Sequence, residues 1–182
     1  MRFVTSAAAL GFAALVLCGC VQQPPPVVPT STPSVAPVFA SDADALAAAK
    51  KAYTGYLAAT DAVNRSGGSD LDALRPWATP TAVSSAVRTM ADVNRAQEHI
   101  VGDLAFYNIS LERVGLDAHG HTNVVIYVCL DARGTKILDE KGRDVRPTRV
   151  AVAPFEVTLL TTTSASELRV EGSEPWAGSD FC

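Results

Sequence analysis

HTNVVIYVCLDAR, residues His121–Arg133, is the stretch whose reading decides the fold. From Val124 to Val128 it runs without a polar break, so β-branched and aromatic side chains fall at both parities. A half-covered strand would alternate; this run reads as a strand buried on both faces. Working outward, GDLAFYNISLERVGLDA (102–118) alternates near period two, with Tyr107, Ile109 and Leu111 on one face. His119-Gly120-His121 and Asp139-Glu140-Lys141-Gly142 read as turns. RVAVAPFEVTLLTTT (149–163) is a third strand, bent at Pro154, and SELRVEGSEPW (166–176) is a short fourth.

The chain before residue 100 has a different period. In DADALAAAKKAYTGYLAATDAVNRS (42–66), Leu46, Ala49, Tyr53, Tyr56, Thr60 and Val63 recur at spacings of three and four, one stripe of a long helix. Ser41-Asp42 or Asp44 suits its N-cap, and Ser66-Gly67-Gly68 stops it. A second helical region follows Asp70. Pro76 and Pro80 break it into short pieces, with Thr81 capping a helix that runs to about Arg95 and His99 at the region's end, where a cation suits the dipole. Helices first and antiparallel strands after them make an α+β domain.

The chain has 182 residues, with 15 Lys and Arg against 19 Asp and Glu, a net charge of -4 and no basic cluster. That balance argues against a nucleic-acid partner. The N-terminus reads as an export segment. Arg2 precedes an apolar run, Phe3–Leu17, of a length that fits a secretory h-region better than a membrane span. Leu17-Cys18-Gly19-Cys20 resembles the lipobox of bacterial lipoproteins. The resemblance implies cleavage after Gly19 (signal peptide 1–19) and a diacylglycerol on the Cys20 thiol. An ordinary signal peptide or an N-terminal anchor is the alternative, and the proline tract that follows weighs against an anchor helix. Residues 20–40, with prolines at 24, 25, 26, 29, 33 and 37, read as a polyproline tether reaching up to roughly 60 Å. The folded domain is then 41–182.

An exported domain with two remaining cysteines should pair them, so Cys129 and Cys182 are the expected disulfide. The alternative, a redox or metal pair, lacks a CxxC or ligand spacing. In the chain-entropy picture the bridge is worth roughly 4 kcal/mol, and it would staple the terminus to the sheet.

The order of elements resembles the NTF2-like (cystatin-like) α+β cone. Tyr127–Asp131, Ile137–Gly142, Phe155-Glu156-Val157, Glu174-Pro175-Trp176 and Phe181-Cys182 look like small exported lipoproteins of high-GC Gram-positive bacteria. That group has no defined activity to carry over. The resemblance implies N-terminal helices packed on a bent antiparallel sheet, and in some such cones an acid/base site. Tyr53, Tyr56, Trp77, Tyr107 and Asp131 are the candidates for such a pocket. Asp131 shares the parity of Cys129, so a disulfide on the sheet's surface would set it outside the cone. Core packing is the competing reading for the tyrosines, and a strand-end role for Asp131. His119 and His121 share a hairpin tip with no third ligand in view.

The leading expectation is a non-enzymatic binding or interaction module, lipid-anchored outside the cytoplasm, without cofactor or metal. Its partners would be the membrane, through the lipid, and a small apolar ligand in the cone or a protein of the envelope; such domains also dimerise through the sheet. The alternatives are an isomerase- or dehydratase-type enzyme, and an accessory subunit of an envelope transporter or cell-wall machine. A filled cone would favour the sheet face as the working surface.

Overall fold

The structure is a computed structural model that describes residues 38–146, 148, 150–162 and 167–182. The expected signal peptide, Cys20 and the tether up to residue 37 lie outside the described residues. Among those described, no helix is long and apolar enough to cross a membrane.

Helix α1 spans Asp42–Arg65. Ser41 caps it: its Oγ accepts the Asp44 N–H at 3.2 Å. Asp42 and Asp44 in the first turn and Arg65 in the last oppose the helix dipole. Its buried face is Ala45, Ala49, Ala52, Tyr53, Leu57, Ala59 and Val63. Leu46, Tyr56 and Thr60, expected in the stripe, are only half-buried. Four residues of the buried face are alanines, and Tyr53, Leu57 and Val63 supply its larger side chains. A 3-10 turn, Leu71–Leu74, leads to α2, Pro80–Arg95. Its cap is Thr79, not Thr81: the Ala82 N–H donates to Thr79 Oγ1 at 3.4 Å. Pro80 at the first helical position explains the shift, because its missing N–H is one the helix leaves unpaired anyway.

The strands are β1 His99–Val101, β2 Ala105–Leu116, β3 Thr122–Asp131, β4 Lys136–Leu138, β5 Val152–Thr161 and β6 Leu168–Pro175. Four form an antiparallel sheet in the order β2-β3-β5-β6, and β1 pairs with β4 in a separate ribbon. His99 therefore opens a strand opposite Leu138 and does not end a helix. Three-residue strands are too short to show a period, so both β1 and β4 escape a sequence reading. Gly102, just after β1, is fixed by crowding: a Cβ there would lie 1.9 Å from the Gly134 carbonyl oxygen.

Strand β3 is buried on both faces, as the unbroken apolar run indicates. Val124, Ile126 and Val128 face α1 and pack with Ala49, Tyr53, Leu57, Val157, Leu159 and Val170. On the other face Val125 and Cys129 are also fully buried. The C-terminal tail covers part of that face. Trp176 and Phe181 place their rings 4.8 Å and 5.8 Å from Tyr127, and Cys182 bonds Cys129 with the Cα atoms 5.5 Å apart.

Strand β2 departs from simple alternation. Tyr107 pairs with Cys129 and Ser110 with Tyr127, so Asn108 and Ile109 together oppose Val128 in a bulge, with Asn108 at φ 50°. The extra residue flips the parity. Phe106, Ile109 and Leu111 share the core face, and Tyr107 points to the opposite one.

Candidate binding groove

The start of α2 is laced to the edge strand β6. The Val170 N–H donates to the Trp77 carbonyl at 2.8 Å, and the Thr79 N–H donates to the Val170 carbonyl at 2.9 Å. Ala78 thereby adds one parallel bridge to the sheet before Pro80 turns the chain into α2. Trp77 lies flat against α1 at Gly55, where a Cβ would come within 2.4 Å of the indole. These contacts fix the distance between α1, α2 and β6.

A groove of about 340 Å³ remains between those three elements. Its floor is a second apolar cluster containing Val63, Leu74, Ala82 and Met90. Tyr56 and Thr60 come from α1, Ser85 and Thr89 from α2, and Glu171 to Glu174 from β6. Glu171 is the extra residue of a bulge, since Val170 pairs with Leu159 and Gly172 with Thr158. The Thr79 hydroxyl donates to its carboxylate. Glu174, further along, is exposed.

The space between α1 and the sheet is filled by side chains. Tyr53 is fully buried there, edge-on to Phe106 with centroids 5.0 Å apart, and shares a 3.2 Å hydrogen bond with Ser173. Burial pushes its phenol up to about 12, against the lowering effect of the Ser173 hydrogen bond. Burial also raises Tyr56, with Thr60 pulling the other way and the Glu174 charge adding to the rise. Both phenols are neutral at pH 7 and act as hydrogen-bond groups.

The five pocket candidates do not converge. Tyr53 is sealed in the core, and Tyr56 lines the groove. Trp77 packs against Gly55 and borders a separate cavity with Phe39 and Leu168. Tyr107 and Asp131 sit on the far face of the sheet, in the parity of Cys129. There Arg133 holds Asp131 with side-chain contacts of 2.6–3.1 Å, and these hydrogen bonds bring the carboxyl down to about 2. Asp131 is thus a charged strand-end residue and not a proton acceptor poised near neutrality.

Three groups escaped the sequence reading. Asp61 is buried on α1, and both its carboxylate oxygens accept the Leu104 N–H at 3.2 Å. Burial raises its pKa, and the Leu104 hydrogen bond partly offsets this. It lies four residues after Leu57, so a stripe that admitted a carboxylate would have found it. Glu171 and Ser173 gave one cue, the glycine between them, which is a common mark of a bulge. At the β2–β3 hairpin, Asp117 accepts the N–H groups of His119 and His121 at 2.8 Å and contacts His121 Nδ1 at 2.9 Å. The two imidazoles stand 6.2 Å apart, and among the described residues no group of three or more His, Cys, Asp or Glu is placed to hold a metal.

No protein-family profile matches this sequence, and no curated protein matches it. Solved structures do. The intermembrane space region of chloroplast protein ARC6 superposes with a TM-score of 0.52 at 12% identity, covering 73% of this chain and 97% of that one. A periplasmic fragment of TraM gives a TM-score of 0.46 at 13% identity, covering 76% and 100%. At such identities the likeness speaks to fold alone. The likeness to the ARC6 region agrees with an α+β domain of N-terminal helices and antiparallel strands.

Proposed function

We propose that this chain is a lipid-anchored, extracytoplasmic, non-enzymatic binding module of NTF2-like type, and that the groove between α1, α2 and β6 is its binding site. The groove carries the reading: an apolar floor with a few hydroxyls and carboxylates at the rim is the usual make-up of a small-molecule site. Side chains fill the space beneath α1, and the C-terminal tail covers part of the sheet face that a filled cone would favour, so the reading rests on the open groove at this flank instead. Support for export comes from the lipobox-like Leu17–Cys20 and from the Cys129–Cys182 bridge, a bond that persists in oxidising compartments. The order of elements, with α1 across one face of β2-β3-β5-β6, supports the NTF2-like assignment.

Two measurements test it. A fragment set screened by NMR against the purified protein is expected to shift the Met90 methyl and the amides of Tyr56 and Ser173. Shifts confined to other surfaces would overturn the groove as the site. Cys20→Ala is expected to leave the membrane fraction or to accumulate as precursor; unchanged fractionation and mass would remove the lipid anchor.

A further inference from the structure

We infer that the groove selects a cation, a protonated amine carried on a compact apolar body. This rests on the groove being the binding site proposed above. Two carboxylates, Glu171 and Glu174, bound it, and no Lys, Arg or His side chain lines it. They are held differently. Glu171 is held at the bulge, where one of its oxygens accepts the Thr79 hydroxyl, and it stands between the groove and a neighbouring cavity that it shares with Thr79 and Arg169. Glu174 is exposed and pairs with no cation among the described residues. Carboxylates without counter-charges beside an apolar wall concentrate cations and repel anions. They also bind a cation more strongly there than in open water.

The rest of the wall fits the same ligand. Tyr56 contributes an aromatic ring, whose face attracts ammonium groups. Its phenol and the Thr60, Ser85 and Thr89 side chains add neutral polar atoms. Val63, Leu74 and Met90 form the apolar floor. A volume of about 340 Å³ is at the small end for ligand sites, which suits one ring or a short branched body and not an acyl chain.

The test uses three probes of one shape: benzylamine, benzyl alcohol and benzoate. The sequence has two methionines, Met1 and Met90, so methyl-labelled methionine gives a groove reporter with at most one other signal from these residues. Benzylamine is expected to shift Met90 saturably, at least about tenfold more tightly than benzyl alcohol, as a charge-assisted contact provides. Benzoate is expected to leave Met90 unmoved. Glu174→Gln, an exposed change that leaves the fold intact, is expected to remove most of the preference. Glu171→Gln is the second variant, read beside a melting curve because it also touches the α2 cap. Equal binding of the three probes, or a preference for benzoate, would overturn cation selection and leave the groove as a site. A Met90 signal that no probe moves would overturn both.

Discussion

The hydroxyl of Tyr53 on α1 meets the Oγ of Ser173 on β6 at 3.2 Å, joining residues 120 apart in sequence. This bond separates the filled core from the groove: Tyr53 is sealed on one side, and Ser173 lines the open space on the other. The Tyr53 ring also packs edge-on against Phe106. Tyr53→Phe keeps the ring and loses the bond, leaving the Ser173 hydroxyl beside the groove, where water or a ligand can take it up. The expected cost is about 1 kcal/mol. Tyr53→Ala removes the ring as well and is expected to cost about 3–5 kcal/mol. Urea denaturation of both variants checks the ratio. Equal costs would mean that Tyr53 acts through its hydroxyl alone.

Gly55→Ala tests how α1 meets Trp77. Alanine is the better helix former by about 1 kcal/mol, so an unobstructed position would gain stability. Here the new methyl would sit 2.4 Å from the indole ring. The ring cannot retreat cheaply, because the Trp77 carbonyl accepts the Val170 N–H and its N–H donates to Leu74. Net destabilisation of about 1–3 kcal/mol is expected, the usual cost of overpacking. Pairing it with Trp77→Leu should recover part of the loss. A stabilised single variant would show that Trp77 moves freely.

These residues also show what the sequence could and could not disclose. The β3 run was legible because its burial on both faces is written in consecutive apolar residues, and α1 because a 24-residue helix repeats its period many times. Tyr107 was misplaced because alternation assumes one residue per step, and the bulge at Asn108 inserts another. Thr81 lost the α2 cap to Thr79 because Pro80 is as good a first helical residue as it is a breaker. The groove was hidden for a different reason. Tyr56, Met90 and Glu171 belong to three elements and meet only through tertiary packing, so no local pattern links them.

Cys182→Ser isolates the contribution of the bridge, since Cys182 is the exposed partner and Cys129 is buried. The closed loop spans 53 residues, for which chain entropy suggests roughly 4 kcal/mol. The loss should have a local signature too. Trp176 packs 4.8 Å from Tyr127 and Phe181 packs 5.8 Å from it, so a freed tail exposes the indole. A red-shifted tryptophan emission in the folded variant, beside a lower denaturation midpoint, is the expected result. A lower midpoint with unchanged emission would place the effect in the unfolded chain, with the tail held by its aromatic contacts and by the Trp176 N–H bond to Pro154.

Acid should weaken the fold through two exposed turns. Asp117 is lowered to about 2, chiefly by the His121 side chain, and Asp131 to about 2, chiefly by that of Arg133. Each carboxyl has a folded value below its ordinary 3.8. Between those values the unfolded chain binds more protons than the folded one. Stability from these groups is therefore present above about pH 4 and is lost as pH falls towards 2. Asp61 runs the other way, because burial raises its value: its charged form opposes folding, and protonation relieves that as pH falls through its folded value. Melting temperatures between pH 5 and 2 should fall most steeply below pH 4. Arg133→Ala is expected to flatten that fall, as Asp131 returns to its ordinary range, and His121→Ala should do the same through Asp117. A carboxyl-carbon titration in which Asp131 keeps its low value without Arg133 would assign the shift to the backbone N–H of residue 133 instead.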